Sequence, residues 1–313
     1  MAPATRLPLD TRATALMVLL CLCWGFQQIA IKLVAADISP TLQIGMRSAF
    51  AAIVLAVLVL RREGLAAFTD GTLAPGLLAG ILFAAEFLLV AQGLLYTTAS
   101  HMSVFLYTAP IFTALGLHLA LPEERLRPLQ WLGVLTAFAG IAVTFLGRGE
   151  QIDAPAMLLG DLLGILAGAA WGATTVAIRK SRLSEAPATK TLLYQMAVAG
   201  VALPLFAWAA GQGAPVFSRA AMASMAFQTL GVALFSLLVW FWLLRRYLAT
   251  RLSILSFMTP LFGVAFGVLI LDEPLDAAFA AGALLVLGGI LMVSGAGLLQ
   301  EKLARHRAPP APR

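Results

Sequence analysis

Charge is the scarce component of this sequence: Asp, Glu, Lys and Arg make up 12% of its 313 residues, against roughly 25% in an average soluble domain. With 21 Lys and Arg, 15 Asp and Glu, and 61% hydrophobic residues, the chain cannot cover a water-exposed surface of its own size, which excludes an ordinary soluble enzyme. Cysteine is nearly absent. The two that occur, Cys21 and Cys23, both lie inside one apolar run, so neither a disulfide framework nor a zinc site follows. Catalytic signatures are missing too: there is no HExxH, GxSxG or Walker pattern and no Asp-rich pair for pyrophosphate and magnesium. No catalytic residue, metal, cofactor or ATP drive is therefore implied. The net charge of +6 does not point to nucleic acid, because the cationic residues form short clusters between apolar runs and never gather on one face.

Long apolar runs are what the sequence has instead. Stretches of roughly 20 apolar residues, the length that spans a bilayer as a helix, occur at 13–35, 41–60, 73–96, 100–121, 128–147, 157–179, 188–209, 222–244, 250–271 and 276–298. The first is too long for a signal-peptide core and leads into no polar mature domain, so it stays in the membrane. Ten spans put both termini on one side. Apart from Lys32, Arg148, Arg219 and the mid-span Arg47, every one of the 21 Lys and Arg residues falls on segments of that same side, which predicts cytoplasmic termini by the positive-inside bias. The tail after Leu303, with Pro309, Pro310 and Pro312, is basic and Pro-rich and is expected to be disordered.

The chain also repeats itself at an offset of about 150 residues. Trp24-Gly25 followed by Lys32 answers to Trp171-Gly172 followed by Arg179, and Ser103, Pro110 and Glu123 answer to Ser253, Pro260 and Glu273. Each copy holds five spans, an odd number, so the second must enter the membrane inverted relative to the first. The expected architecture is thus an all-α membrane protein of ten transmembrane helices, two inverted five-helix repeats with both termini inside. Its parts are an N-terminus 1–12, a first repeat 13–147, an external linker 148–156, a second repeat 157–298 and a tail 299–313. Inverted repeats supply two similar gates around a site at the midplane, which is what alternating access requires.

This duplication, the two Trp-Gly pairs, the Pro40-to-Arg47 opening of the second span, and the Pro110-to-Glu123 and Pro260-to-Glu273 segments, followed by Gly133 and Gly140 and by Gly282 and Gly289, resemble the drug/metabolite transporter superfamily. Within it, the chain resembles the EamA-type ten-helix exporters over roughly 13–298. The resemblance implies a small-metabolite exporter of a bacterial inner membrane, with relatives that handle amino acids, including aromatic ones and threonine or homoserine. It also implies a central cavity lined largely by spans one, three, four, six, eight and nine. Drug or nucleotide-sugar carriage within the same superfamily is the alternative, and a membrane-embedded enzyme or a channel the rival classes; a channel would want a ring of repeated charge that is not evident here. One departure stands out: Gln195 occupies the position of Arg47 in the second half.

The candidate substrate-binding residues follow from polar or aromatic side chains inside apolar runs. Glu86 sits mid-span, where an ionised carboxylate costs several kcal/mol without water or a partner; it could carry a proton for coupling, neutralise a substrate ammonium, or simply bond a neighbouring helix while protonated. Its counterpart is Ser236. Ser103, Tyr107 and Pro110 share one helical face of span four, as Ser253, Phe257 and Pro260 do in span nine, and the prolines would bend both helices or merely be tolerated there. Trp24, Gln27 and Gln28 answer to Trp171, Thr174 and Thr175 and could meet a zwitterion or glue helices together, and Trp240, one turn after Ser236, could stack on a ring. Arg47 is expected to snorkel towards the interface or to meet Asp37 or a substrate carboxylate. His101 and His118 are read as helix-end surface residues, and Glu123, Glu124, Asp272 and Glu273 as helix-start or gate contacts. Gly164, Gly168 and Gly172, like Gly76/Gly80 and Gly263/Gly267, are read as close helix contacts. The implied partners are a small-molecule substrate and the lipid bilayer, with a proton as coupling ion and a monomer or homodimer both compatible.

Overall fold

Thr11 opens the first helix because Asp10 caps it, its carboxylate accepting the Ala13 N–H at 2.7 Å. That bond foremost, and then the Tyr247 hydroxyl at 2.8 Å, holds Asp10 below the usual carboxylate range. The second helix starts at Pro40 behind the Ser39 cap and stops at Gly64, whose φ of 64° is open to glycine. A computed structural model describes residues 10–146, 154–247, 252 and 255–307. Within them the chain is helical, with no β-strand: α1 Thr11–Leu33, α2 Pro40–Glu63, α3 Leu73–Gly93, α4 Ala99–Leu106, α5 Ala109–Ala120, α6 Pro128–Leu146, α7 Ala154–Arg179, α8 Ala188–Ala209, α9 Arg219–Ala226, a π-helical segment Phe227–Ser236, α10 Leu237–Arg246, α11 Met258–Leu271 and α12 Ala277–Arg307.

Among the described residues, 9 helical spans are long and apolar enough to cross a membrane, and the shorter α11 lies within the ninth expected span. Large apolar side chains such as Ile53, Leu135, Leu269 and Leu284 point outward, a surface suited to lipid and not to water. The fourth span is broken, since α4 ends at Leu106, Tyr107 and Thr108 turn, and α5 resumes with Pro110 in its first turn. Phe257 makes a similar turn ahead of α11, two residues before Thr259 and three before Pro260. The eighth span contains a wide π-helical stretch that apolar periodicity gives no sign of.

Helices meet where side chains vanish. A Cβ on Gly140 would lie 2.6 Å from the Gly282 carbonyl oxygen, and one on Gly133 would lie 2.7 Å from that of Gly289, so α6 and α12 cross backbone to backbone. The same reading of glycine as helix contact holds for Gly76 and Gly80 against Tyr194 and Val198, for Gly168 and Gly172 against the α4–α5 turn and Phe112, and for Gly263 against Ser103. The tail differs from expectation: α12 continues to Arg307, beyond Leu303. Gln300 to Arg305 are good helix formers with Glu301 and Arg305 at i, i+4, and the prolines begin only at Pro309. Residues 308–313 and most of the expected linker lie outside the described residues.

Candidate functional site

A cavity of about 800 Å³ runs between the helices, within the range typical of small-molecule sites. Trp24, Gln27 and Gln28 of α1, Glu86 of α3, Tyr107 and Pro110 at the break, Trp171 and Thr175 of α7, and Ser236, Trp240 and Phe257 all line it. These residues are scattered from position 24 to 257, and packing brings them to one space. The cavity extends to Glu124, Leu126 and Gln130 at one end.

Its walls are organised by aromatic pairs. Trp24 meets Trp240 edge to face at 5.7 Å, Tyr107 meets Trp171 at 5.5 Å, and Phe83 and Phe87 lie 4.7 Å apart. The Trp24 indole N–H donates to the Ser236 Oγ at 2.9 Å, and the Ser236 hydroxyl donates to the Val232 carbonyl. Thr175 donates back to its own helix at Trp171 O, 3.1 Å away, which leaves its oxygen as an acceptor.

Several expectations change. Ser103, placed on the same face as Tyr107 by an unbroken helix, lies outside the cavity lining and packs against Gly263, because the chain breaks at Tyr107–Thr108 and the i, i+7 alignment with Pro110 is lost. Pro260, expected as a bend residue and not as lining, is buried in the first turn of α11 just after the turn at Phe257, and Ser253 lies outside the described residues. Arg47 does not snorkel: it is 5% exposed, lines the cavity, and stacks its guanidinium 4.9 Å from the centre of the Phe87 ring. Spans two, five, seven and ten also contribute to the lining, through Arg47, Gln130, Gln195 and Ser294, beside the six spans that the resemblance implies as its main walls. The signal for Arg47 was present in the sequence as a charge inside an apolar run.

At the end of the molecule away from Glu124, Glu273 caps α4. Its carboxylate accepts from the Ala99 N–H at 2.7 Å, the Ser100 N–H at 2.9 Å and the Ser100 hydroxyl at 2.7 Å, and faces the Lys32 ammonium at 3.6 Å. Lys32 in turn donates to Thr97 O at 2.7 Å. His101 is no surface residue: it is 1% exposed, stacks on Phe279 at 3.8 Å and bonds Asp161 through Nδ1 at 2.9 Å, while the Thr97 hydroxyl donates to the same carboxylate. At the Glu124 end, Arg179 pairs with Glu124 at 3.2 Å in an exposed position.

With this geometry in place, comparison with known proteins decides the family. The EamA-like transporter family matches the chain twice, over residues 11–146 and 158–295. The chain belongs to the EamA-like transporter family. It is 25% identical over 273 residues to the Bacillus subtilis protein named uncharacterized transporter YoaV, an alignment covering 87% of this chain and 92% of that one. It is 26% identical over 292 residues to an uncharacterized transporter of Archaeoglobus fulgidus, covering 91% of this chain and 98% of the relative. A solved crystal structure at 20% identity covers 94% of this chain and 99% of its own with a TM-score of 0.63, a likeness of fold. The EamA family assignment makes this a multi-pass membrane protein and a transporter, and makes the cavity its candidate transport site.

Proposed function

We propose that this EamA-family protein is a secondary carrier that exports amino acids or related small metabolites across a bacterial inner membrane, with both termini cytoplasmic and its two halves inverted in the bilayer. The observation that carries this reading is the cavity itself: charge of each sign, Arg47 and Glu86, set among aromatic pairs and neutral hydrogen-bonding groups such as Gln27, Gln28 and Thr175. A polar metabolite with an apolar side chain needs both kinds of surface, and a membrane-buried charge is retained where it meets water or a ligand. Transport then proceeds by alternating access: the cavity reaches the Glu124 end while the Lys32–Glu273 contacts hold the other end together, and the two ends exchange these states. Glu86 binds a proton or the substrate ammonium.

The test is uptake and counterflow in proteoliposomes with the twenty labelled L-amino acids, with and without a pH gradient. Saturable, trans-stimulated counterflow is expected. Flux of other metabolites in place of every amino acid would overturn the substrate class, and chemical conversion of a substrate would overturn the carrier. If transport responds to the pH gradient and Glu86→Gln abolishes that response in folded protein, Glu86 carries the proton; an unchanged response would remove it from that role.

A further inference from the structure

A buried polar atom without a partner is one that a ligand can satisfy, and Arg47 and Gln28, which line this cavity, each carry one. Arg47 is 95% buried by its 5% exposure, and its Nη1 has no hydrogen-bond acceptor among the described residues. Glu86 on the neighbouring helix is 4% exposed, and among the described residues it makes no ion pair with Arg47 within bonding distance although the two charges act on one another. The side-chain oxygen of Gln28 is buried and likewise unpaired. All three residues line the same cavity. An unmet guanidinium nitrogen and an unmet amide oxygen, in the same cavity as a carboxylate that no cation pairs within bonding distance among the described residues, are a costly combination in an apolar interior.

We propose that Arg47 is the carboxylate receptor of the transport site, and that the carried molecule is a zwitterion whose carboxylate binds Arg47 while its ammonium binds Glu86 and the Gln28 oxygen. This rests on the carrier reading above and narrows it. A guanidinium stacked on Phe87 presents its N–H edge as a flat fork, which matches a carboxylate in bidentate geometry. Charge balance points the same way. In the state with Glu86 ionised, Arg47 and Glu86 sum to zero and a zwitterion leaves that sum unchanged, whereas an amine lacking a carboxylate or an acid lacking an amine adds an uncompensated charge to a low-dielectric space. The position equivalent to Arg47 in the second half, Gln195, also lines the cavity but is neutral, so the carboxylate has a single anchoring side, on α2.

The experiment measures inhibition of counterflow in proteoliposomes holding the wild-type full chain. For each labelled amino acid that is carried, the competitors are that amino acid, its α-amide and its decarboxylated amine. The amide and the amine are expected to compete at least about tenfold more weakly, the loss of a charge-assisted hydrogen bond. Equal competition by the amine would overturn the proposal and leave the carrier standing; flux confined to molecules without a carboxylate would do the same. No flux of any solute would overturn both. Two variants add a readout beyond folding: Arg47→Lys should keep the preference for the acid over the amide, and Arg47→Gln, in protein with a wild-type elution profile, should abolish it. A preserved preference in Arg47→Gln would overturn the assignment to Arg47.

Discussion

Truncating Glu273 asks which contact holds the end of the molecule away from Glu124. Glu273→Ala removes the acceptor for two backbone N–H groups at the start of α4 and for the Ser100 hydroxyl, and leaves Lys32 only the Thr97 carbonyl. Each buried donor stranded in this way costs about 1–3 kcal/mol, and breaking a buried charged cluster by deleting one member costs about 3–5 kcal/mol in total. Lys32→Met should cost less. Lys32 is 28% exposed and sits 3.6 Å from Glu273, so the pair contributes about 1 kcal/mol at most, and the Thr97 bond adds about 1 kcal/mol. Glu273→Gln, which keeps one oxygen for the backbone, should fall between them. Reversible unfolding of the purified full chain in mixed detergent–lipid micelles titrated with SDS gives the three losses, and the double variant gives the coupling. If Lys32→Met costs as much as Glu273→Ala, the ion pair and not the cap carries the stability, and the reasoning is refuted. A Glu273→Ala loss below about 1 kcal/mol refutes it as well.

Three further outcomes follow from contacts elsewhere. Gly140→Val should destabilise by about 1–3 kcal/mol in the same assay, because its Cβ meets the Gly282 carbonyl oxygen at 2.6 Å and the Val286 nitrogen at 2.7 Å, both backbone atoms; Gly288→Ala, which meets nothing within 4 Å, should be neutral or stabilising, and equal losses would sink the argument. The Asp70 carboxyl is held down to about 2, chiefly by the Lys190 ammonium bonded at 2.5 Å and then by Thr72. A carboxyl depressed on folding stabilises above its unfolded value and loses that contribution as pH falls from 3.8 to about 2, so the melting temperatures of wild type and Asp70→Asn should converge over that window; a constant gap would refute the linkage. Arg179→Met should change stability by less than about 1 kcal/mol, since its 3.2 Å pair with Glu124 is 60% and 35% exposed, and a loss matching that of Glu273→Ala would refute the contrast drawn between the two ends.

What was legible in the sequence was whatever lies along one helix. The spans follow from run length and flanking charge, the glycine contacts from spacing, and Glu86, Trp24 and Trp171 stand out because each is conspicuous inside its own apolar run. What was illegible depends on two helices at once. His101 and Asp161 are 60 positions apart in sequence, and neither signals that it will be buried against the other. Arg47 near a helix end looks free to reach the interface until α3 sets Phe87 and Glu86 beside it. Ser103 failed for a different reason: a helical face is a valid inference only while the helix is continuous, and the chain turns at Tyr107 and Thr108.

The placement of charge within the bundle separates scaffold from site. Lys32 with Glu273, His101 with Asp161, and Lys190 with Asp70 each join two different segments through bonds within 3.6 Å, and each pair is further held by backbone or hydroxyl partners. Such clusters are satisfied within the protein, which is the condition under which a membrane tolerates them. Arg47 and Glu86 are buried more deeply than Lys32 or Asp70 but do not close on one another, and both open onto the cavity. A chain with so few charges keeps this unlike pair on the cavity lining without joining it, which is the arrangement the proposed zwitterion site requires and a purely structural ion pair does not.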